Sequence, residues 1–393
     1  MKINYRADRM FDGYILHDEE SVVQVQEDRI TYVGPARTAP TADETKNFGD
    51  ATITPGLFDC HVHIAWTGLV ARPQEQVQAE GPVLTALRST QSCKKHLRAA
   101  TTTIRDLGTG DGVSYALRAA EADGLIESPR ILASGPLICM TGGHCYEIGG
   151  EADGRDEVMK RVRREIRDGA DLIKLAAGGG IYGLVERCHH PQFTIEEMKA
   201  AVEVAHNADR LVTVHAYSKA AIRNALDAGV DCIEHGSCLT YELADRMVRE
   251  DKWLVPTLSI FGASVREGKK LNVPEIVYQK TCEIYEASKE CFRIALESGV
   301  KMAAGTDCGG PGHPHGTVPT ELAVMVEYGA SPLFAFTCAT SNAAKLCELS
   351  GVTGMLRTGL QADIAVFSEN PFTNIRAVFA PRATIHRGIF YPL

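Results

Sequence analysis

From Asp171 onward, short apolar runs ending in polar residues alternate with segments whose apolar positions recur every three to four residues. This is the rhythm of a strand followed by a helix. DLIKLAAGGG leads into FTIEEMKAAVEVAHNA, where Thr194 and Glu197 form a capping box. LVTVHAYS leads into SKAAIRNALDAG, CIEHGS into LTYELADRMVRED, WLVPTLS into a long charged helix, and KMAAGTD closes a further strand. Gly229 and Gly299 stand where helix stop signals belong. Reading backwards adds ITPGLFDCHVHI, TTTIRDLG and RILASGPLI, each trailed by a helical segment. Eight strand–helix units over roughly 300 residues predict an α/β fold, a (β/α)8 TIM barrel with its chemistry at the C-terminal ends of the strands. An open doubly wound sheet is the alternative. It calls for a Gly-rich phosphate turn after the first strand, and HVHIAW is not one.

The two ends break the rhythm. YRADRMFDG and SVVQVQEDRITYVG at the start, and ADIAVFS and ATIHRGIFY in the tail, read as β without intervening helices. They predict a small β-sandwich domain built jointly from residues 1–54 and 355–393, around a barrel of residues 55–354.

Composition narrows the field of partners. With 45% hydrophobic and 23% charged residues the 393-residue chain is of globular type. Lys plus Arg total 41 against 50 for Asp plus Glu, a balance of -9. No basic stripe interleaves with aromatics, so no nucleic acid and no membrane is expected as a partner. MKINYRADRM carries charges where a signal peptide needs an apolar run, and no stretch approaches a spanning helix. These features point to a soluble, cytoplasmic protein. Twelve scattered cysteines without a CxxC pair read as reduced thiols.

The histidines change the picture. Nine of thirteen, His61, His63, His144, His189, His190, His215, His235, His313 and His315, fall at strand ends or in the loops of one barrel face. A single strand-end histidine is usually a hydrogen-bonded structural residue, but convergence from several strands is harder to reach by accident. In DCHVH, residues two apart on a strand point to the same side, so His61 and His63 can grip one divalent ion together. His215 ends the predicted fifth strand, His235 the sixth and Asp307 the eighth, placing five metal-competent side chains around one point. Imidazole nitrogen and carboxylate oxygen suit zinc or a similar first-row ion. Lys174 lies inside the apolar run LIKLAA. Either it pairs with a carboxylate or points outward between helices, or a neutral Lys174 takes up carbon dioxide as a carbamate that bridges two ions. The glycines Gly178 to Gly180 lack the lysine and hydroxyl of a phosphate loop.

ITPGLFDCHVHI, MTGGH, DLIKLAAGGG, TVHAYS, IEHGS, VPTL, AGTD and the run from ATSNAAKLCEL through GLQADIAVFSENP together resemble the amidohydrolase superfamily. Within it, the chain is similar to the imidazolonepropionase-like and Xaa-Pro dipeptidase (prolidase) branch. The resemblance covers nearly the whole sequence. It implies two divalent metal ions, His61 and His63 on one, His215 and His235 on the other, a carbamate on Lys174 as bridge, and Asp307 as ligand and proton shuttle. A homo-oligomer is also implied.

Two ions sharing a water bring its pKa toward neutrality and so supply a bridging hydroxide beside a polarised carbonyl. Asp307 accepts the proton and returns it to the leaving nitrogen. Tyr217, His144 or the metal itself can serve the oxyanion. Tyr217 has core packing as its alternative role, and His144 a structural turn role. Tyr182, His189 and His190 stand as weak candidates for a lid or a carboxylate contact, and no role follows for His313 and His315. The resemblance makes the substrate a small molecule with an amide bond and a carboxylate, a dipeptide or an N-acyl amino acid. Hydrolysis of a cyclic amide, lactone or related ring is the alternative, and Lys174 argues against it because the imidazolonepropionase type is expected to use one metal without the bridge. A catalytically silent scaffold is a third reading, opposed by six positions that all retain coordinating residues.

Overall fold

Parallel strands account for the centre of the molecule. In the computed structural model, which describes residues 1–147 and 149–393, three of them, Leu57–Val62, Thr101–Asp106 and Arg130–Ala133, form one sheet. Seven more form a second, in the order Gly150–Glu151, Ile138–Cys139, Ile173–Ala176, Val212–Ala216, Cys232–His235, Trp253–Val255 and Lys301–Met302. Backbone hydrogen bonds join the two sheets at both margins. Asp171 N donates to Ala133 O at 2.9 Å on one side; Cys60 N donates to Ala304 O at 2.9 Å and Asp307 N to His61 O at 2.7 Å on the other. The predicted strands are all present.

The last of them is shorter than expected. Only Lys301–Met302 is extended, so Asp307 does not end a strand but lies in the loop beyond it. Its backbone still runs beside the first strand, through the Val62 and Cys308 bridge. ITPGLFDCHVHI also divides: Thr52–Pro55 pairs with Ile364–Phe367 in a terminal sheet, and only Leu57–Val62 joins the parallel one. At the crossing, a Cβ on Gly56 would meet the Thr102 side chain at 2.3 Å.

Helices pack against the parallel strands for the reason their sequence states. In Ile195–His206, Thr194 Oγ1 accepts from Glu197 N and Glu197 Oε2 accepts from Thr194 N, which satisfies two otherwise orphaned donors. Met198, Ala201, Val202 and Ala205 line the buried face of that helix. Gly229 and Gly299 close their helices in the left-handed conformation, at φ 89° and 74°.

The two chain ends form a four-stranded and a six-stranded sheet. Tyr5, Val23, Val25 and Ile30 from the first share a core with Ile53, Ile364, Val366 and Ile385 from the second. Asp363 ties this region to the parallel strands: its carboxylate takes Arg130 at 3.0 Å and His386 at 2.9 Å. All twelve cysteines are free. Among the described residues, no helix is long and apolar enough to cross a membrane.

Candidate metal centre

Strand alternation and strand ends bring the predicted ligands together. His61 and His63 lie at the end of Leu57–Val62, His215 near the end of Val212–Ala216, His235 at the end of Cys232–His235, and Lys174 inside Ile173–Ala176. All are buried, with at most 7% of any of these side chains, or of Asp307, exposed where measured in the ion pairs. Ring centroids separate His61 from His63 by 5.4 Å, His61 from His235 by 5.0 Å, and His215 from His235 by 4.8 Å. One donor atom each from His61, His63 and Asp307 falls within 4.8 Å of the others.

Each imidazole is oriented through one nitrogen. His61 Nδ1 lies 2.8 Å from Glu234 Oε2, His235 Nδ1 is 2.7 Å from Thr257 Oγ1, and His63 Nδ1 is 3.4 Å from Gly108 O. His215 is held from the other side, Nε2 to Gly179 O at 3.3 Å. Burial, reinforced by the neighbouring positive charges, lowers the pKa of all four and keeps them neutral; His63 falls to about 3. Lys174 is one of the charges acting on every one of them. Its own pKa is lowered by burial, against the pull of Glu234 and Asp307.

The donor set suits a divalent cation. Asp307 Oδ1 is buried and has no hydrogen-bond partner, yet it faces His63 Nε2 at 3.4 Å and His61 Nε2 at 3.6 Å. A buried carboxylate oxygen among neutral imidazole nitrogens is costly on its own and well matched to zinc or a related ion. Burial raises the Asp307 pKa to about 7, Lys174 and His144 opposing it. The backbone is strained at the same place: His235, Thr257 and Asp307 are left-handed at φ 69°, 49° and 56°.

The remaining candidates divide. Tyr217 is buried with its ring 4.5 Å from His215 and 4.9 Å from His235. His144 stacks on His215 at 4.2 Å and pairs with Glu186 at 3.0 Å. Burial opposes its charged form, but Cys145 and Glu186 outweigh this and raise its pKa. The approach is possible because residue 180 is glycine: a Cβ there would sit 2.0 Å from the His144 ring. Tyr182 lies edge-on to Trp66, which itself stacks on His63. Four of the nine grouped histidines lie apart from the cluster. His189 and His190 are exposed and pair with each other. His313 bonds Ser259 Oγ and Thr317 Oγ1, and His315 meets His96 of the helix Pro73–Arg98.

Sequence reasoning missed the groups that hold the ligands. Glu234 takes Arg105 Nη2 at 2.6 Å and the Thr213 hydroxyl besides His61. Asp59 accepts from Thr306 N at 2.9 Å and Thr306 Oγ1 at 2.7 Å, bracing the turn before Asp307. Arg105 and Glu234 were detectable in principle, as opposite charges inside apolar strand runs.

Residues 52–389 match the Amidohydrolase family. The chain belongs to that family. Among the relatives of this amidohydrolase, an ochratoxinase of Aspergillus niger is 31% identical over 365 residues, 85% of this chain and 74% of that protein. An imidazolonepropionase of Rhizorhabdus wittichii is 26% identical, covering 95% and 92%. The crystal structure of a Xaa-Pro dipeptidase with methionine bound in its active site superimposes with a TM-score of 0.90 at 30% identity, covering all of both chains. Membership assigns this amidohydrolase to the amide-bond hydrolases as a class.

Proposed function

We propose that this amidohydrolase cleaves the amide bond of a dipeptide of Xaa-Pro type or of an N-acyl amino acid. His61, His63, Lys174 as its carbamate, His215, His235 and Asp307 would hold two divalent ions, zinc foremost. The observation that carries the reading is the unpartnered, buried Asp307 Oδ1 facing two imidazole nitrogens. Ions held there lower the pKa of water and polarise a carbonyl.

The chain's own side chains do the rest. Asp307 is the carboxylate placed to take a proton from the attacking water and to return it to the departing nitrogen, since an amide breaks only when its amine leaves protonated. His144, paired with Glu186, and Tyr217 are the donors for the developing oxyanion. Glu234 and Thr257 fix the imidazoles so that no reorientation is needed during the reaction.

The finer architecture follows the same reading. Backbone bonds at both margins of the parallel sheets support closure into a (β/α)8 barrel over residues 55–354. The common core of the two terminal sheets supports a β-sandwich of residues 1–54 and 355–393. Val83, Leu84 and Leu87, exposed along one helix, support a homo-oligomer.

Hydrolysis of a ring, as in an imidazolonepropionase, is the second reading, favoured by the relative that matches 95% of the chain. The buried Lys174 favours the first. A library of Xaa-Pro dipeptides and N-acyl amino acids, run beside lactams and lactones with metal content measured in parallel, separates them. Turnover of the open-chain amides is expected. Silence there with turnover of a ring transfers the assignment to the second reading.

A further inference from the structure

One residue beyond Asp307, the chain enters a second convergence of donors. His96, from the helix Pro73–Arg98, meets Cys308 and His315 with all three side chains buried and their ligand atoms within 4.8 Å of one another. His96 Nε2 is 3.1 Å from His315 Nδ1. Cys308 Sγ is 3.2 Å from His315 Nδ1 and 3.8 Å from His96 Nε2.

His315 Nε2 lies 2.8 Å from Trp66 O, a carbonyl that only accepts, so the proton of that imidazole is on Nε2 and its Nδ1 carries a lone pair. The Cys308 thiol and His96 Nε2 both approach that lone pair; the thiol also has Asp59 Oδ2 as an acceptor at 3.8 Å, and His96 Nδ1 is buried without a hydrogen-bond partner. A cation among the three atoms would instead receive an electron pair from each of the two nitrogens and the sulfur. Tetrahedral zinc, with nitrogen at about 2.0–2.1 Å and sulfur at about 2.3 Å, sets N···N near roughly 3.3 Å and N···S near roughly 3.6 Å. The three observed separations scatter about those values. The Trp66 carbonyl supplies the outer hydrogen bond that orients a ligating imidazole.

Two neutral imidazoles and a thiolate would leave one positive charge on a divalent ion, with Asp59 Oδ2 3.8 Å from Cys308 Sγ.

We propose that His96, Cys308 and His315 form a second, three-ligand site for a zinc-like divalent ion, distinct from the hydrolytic centre. On binding, the Cys308 S–H bond breaks, its proton leaves to solvent, and the sulfur electron pair bonds the ion, with no change of oxidation state. The ion ties the helix bearing His96 to the segment 308–315, and so braces Asp307 through its neighbouring peptide.

Cobalt substitution of the whole protein tests this. The hydrolytic ligands contain no sulfur, so a near-ultraviolet thiolate-to-cobalt charge-transfer band reports a cysteine site. The band is expected in the wild-type protein and lost in both Cys308→Ser and His96→Gln, with one cobalt equivalent per chain fewer in each. A fully loaded wild type without the band, or a band that survives either substitution, overturns the proposal. Should either variant fail to fold, the zinc-edge X-ray absorption spectrum of the wild-type zinc protein decides: sulfur scattering supports the site, and nitrogen and oxygen alone overturn it. Neither readout depends on which amide the enzyme cleaves.

Discussion

Glu234 Oε2 lies 2.8 Å from His61 Nδ1, both side chains buried, while the other oxygen of the same carboxylate takes Arg105 Nη2 at 2.6 Å. One carboxylate therefore orients a candidate ligand and neutralises a buried guanidinium. Glu234→Gln is expected to weaken metal affinity roughly 10- to 100-fold, measured by competition with a chelator. Glu234→Ala also strands Arg105 and should cost about 3–5 kcal/mol in urea unfolding. Unchanged metal affinity in the Gln variant would remove Glu234 from any role in orienting His61.

Asp307→Asn keeps the shape of the side chain and removes its capacity to carry a proton. We expect kcat to fall about 10²- to 10⁴-fold with a folded protein by circular dichroism. A loss expressed only in KM would assign Asp307 to substrate binding instead.

Lys174→Ala removes the arm proposed to carry the carbamate. Reduced metal content is expected, partly restored by a short carboxylic acid such as propionate, which places a carboxylate in the vacated space. Full metal stoichiometry in Lys174→Ala, prepared without carbon dioxide, would discard the bridge.

Gly180→Ala places a methyl where the His144 ring stands, at 2.0 Å. The imidazole must leave His215, and kcat/KM should drop while stability falls by about 1–3 kcal/mol. Wild-type kinetics in this variant would leave His144 without a catalytic part.

Asp363 predicts a pH dependence of stability. Burial alone would raise its pKa, but Arg130 and His386 overcome that and hold it well below the usual range. The stability so gained is present above the unfolded value of about 3.9 and lost as pH falls through the lower folded value. His386 is the reverse case: burial disfavours its charge, Asp363 more than compensates, and its pKa rises. Its contribution is full below about 6.5 and lost as pH climbs through the raised folded value. Urea unfolding should show both declines, and Asp363→Asn should flatten them.

Much of the site was legible because strand geometry is local. His61 and His63 share a side through the two-residue period, and His215 and His235 announce themselves at the ends of apolar runs. The limits of that reading have equally specific causes. His189, His190, His313 and His315 occupy long loops, where sequence position does not fix direction; two of them face solvent and two turn to other partners. His96 lies within a helix and its partner is 219 positions away, so no local pattern marks it.

The sequence by itself determined the strand–helix alternation, the caps, and the residue types able to bind a metal, since each depends on neighbours within a turn or a strand. Tertiary structure decided which carboxylate serves which imidazole, that Asp307 lies past its strand, and that His315 departs from the cluster. Those outcomes depend on pairing and burial between segments far apart in the chain, where electrostatic cost and close packing select one arrangement among many that local pattern allows.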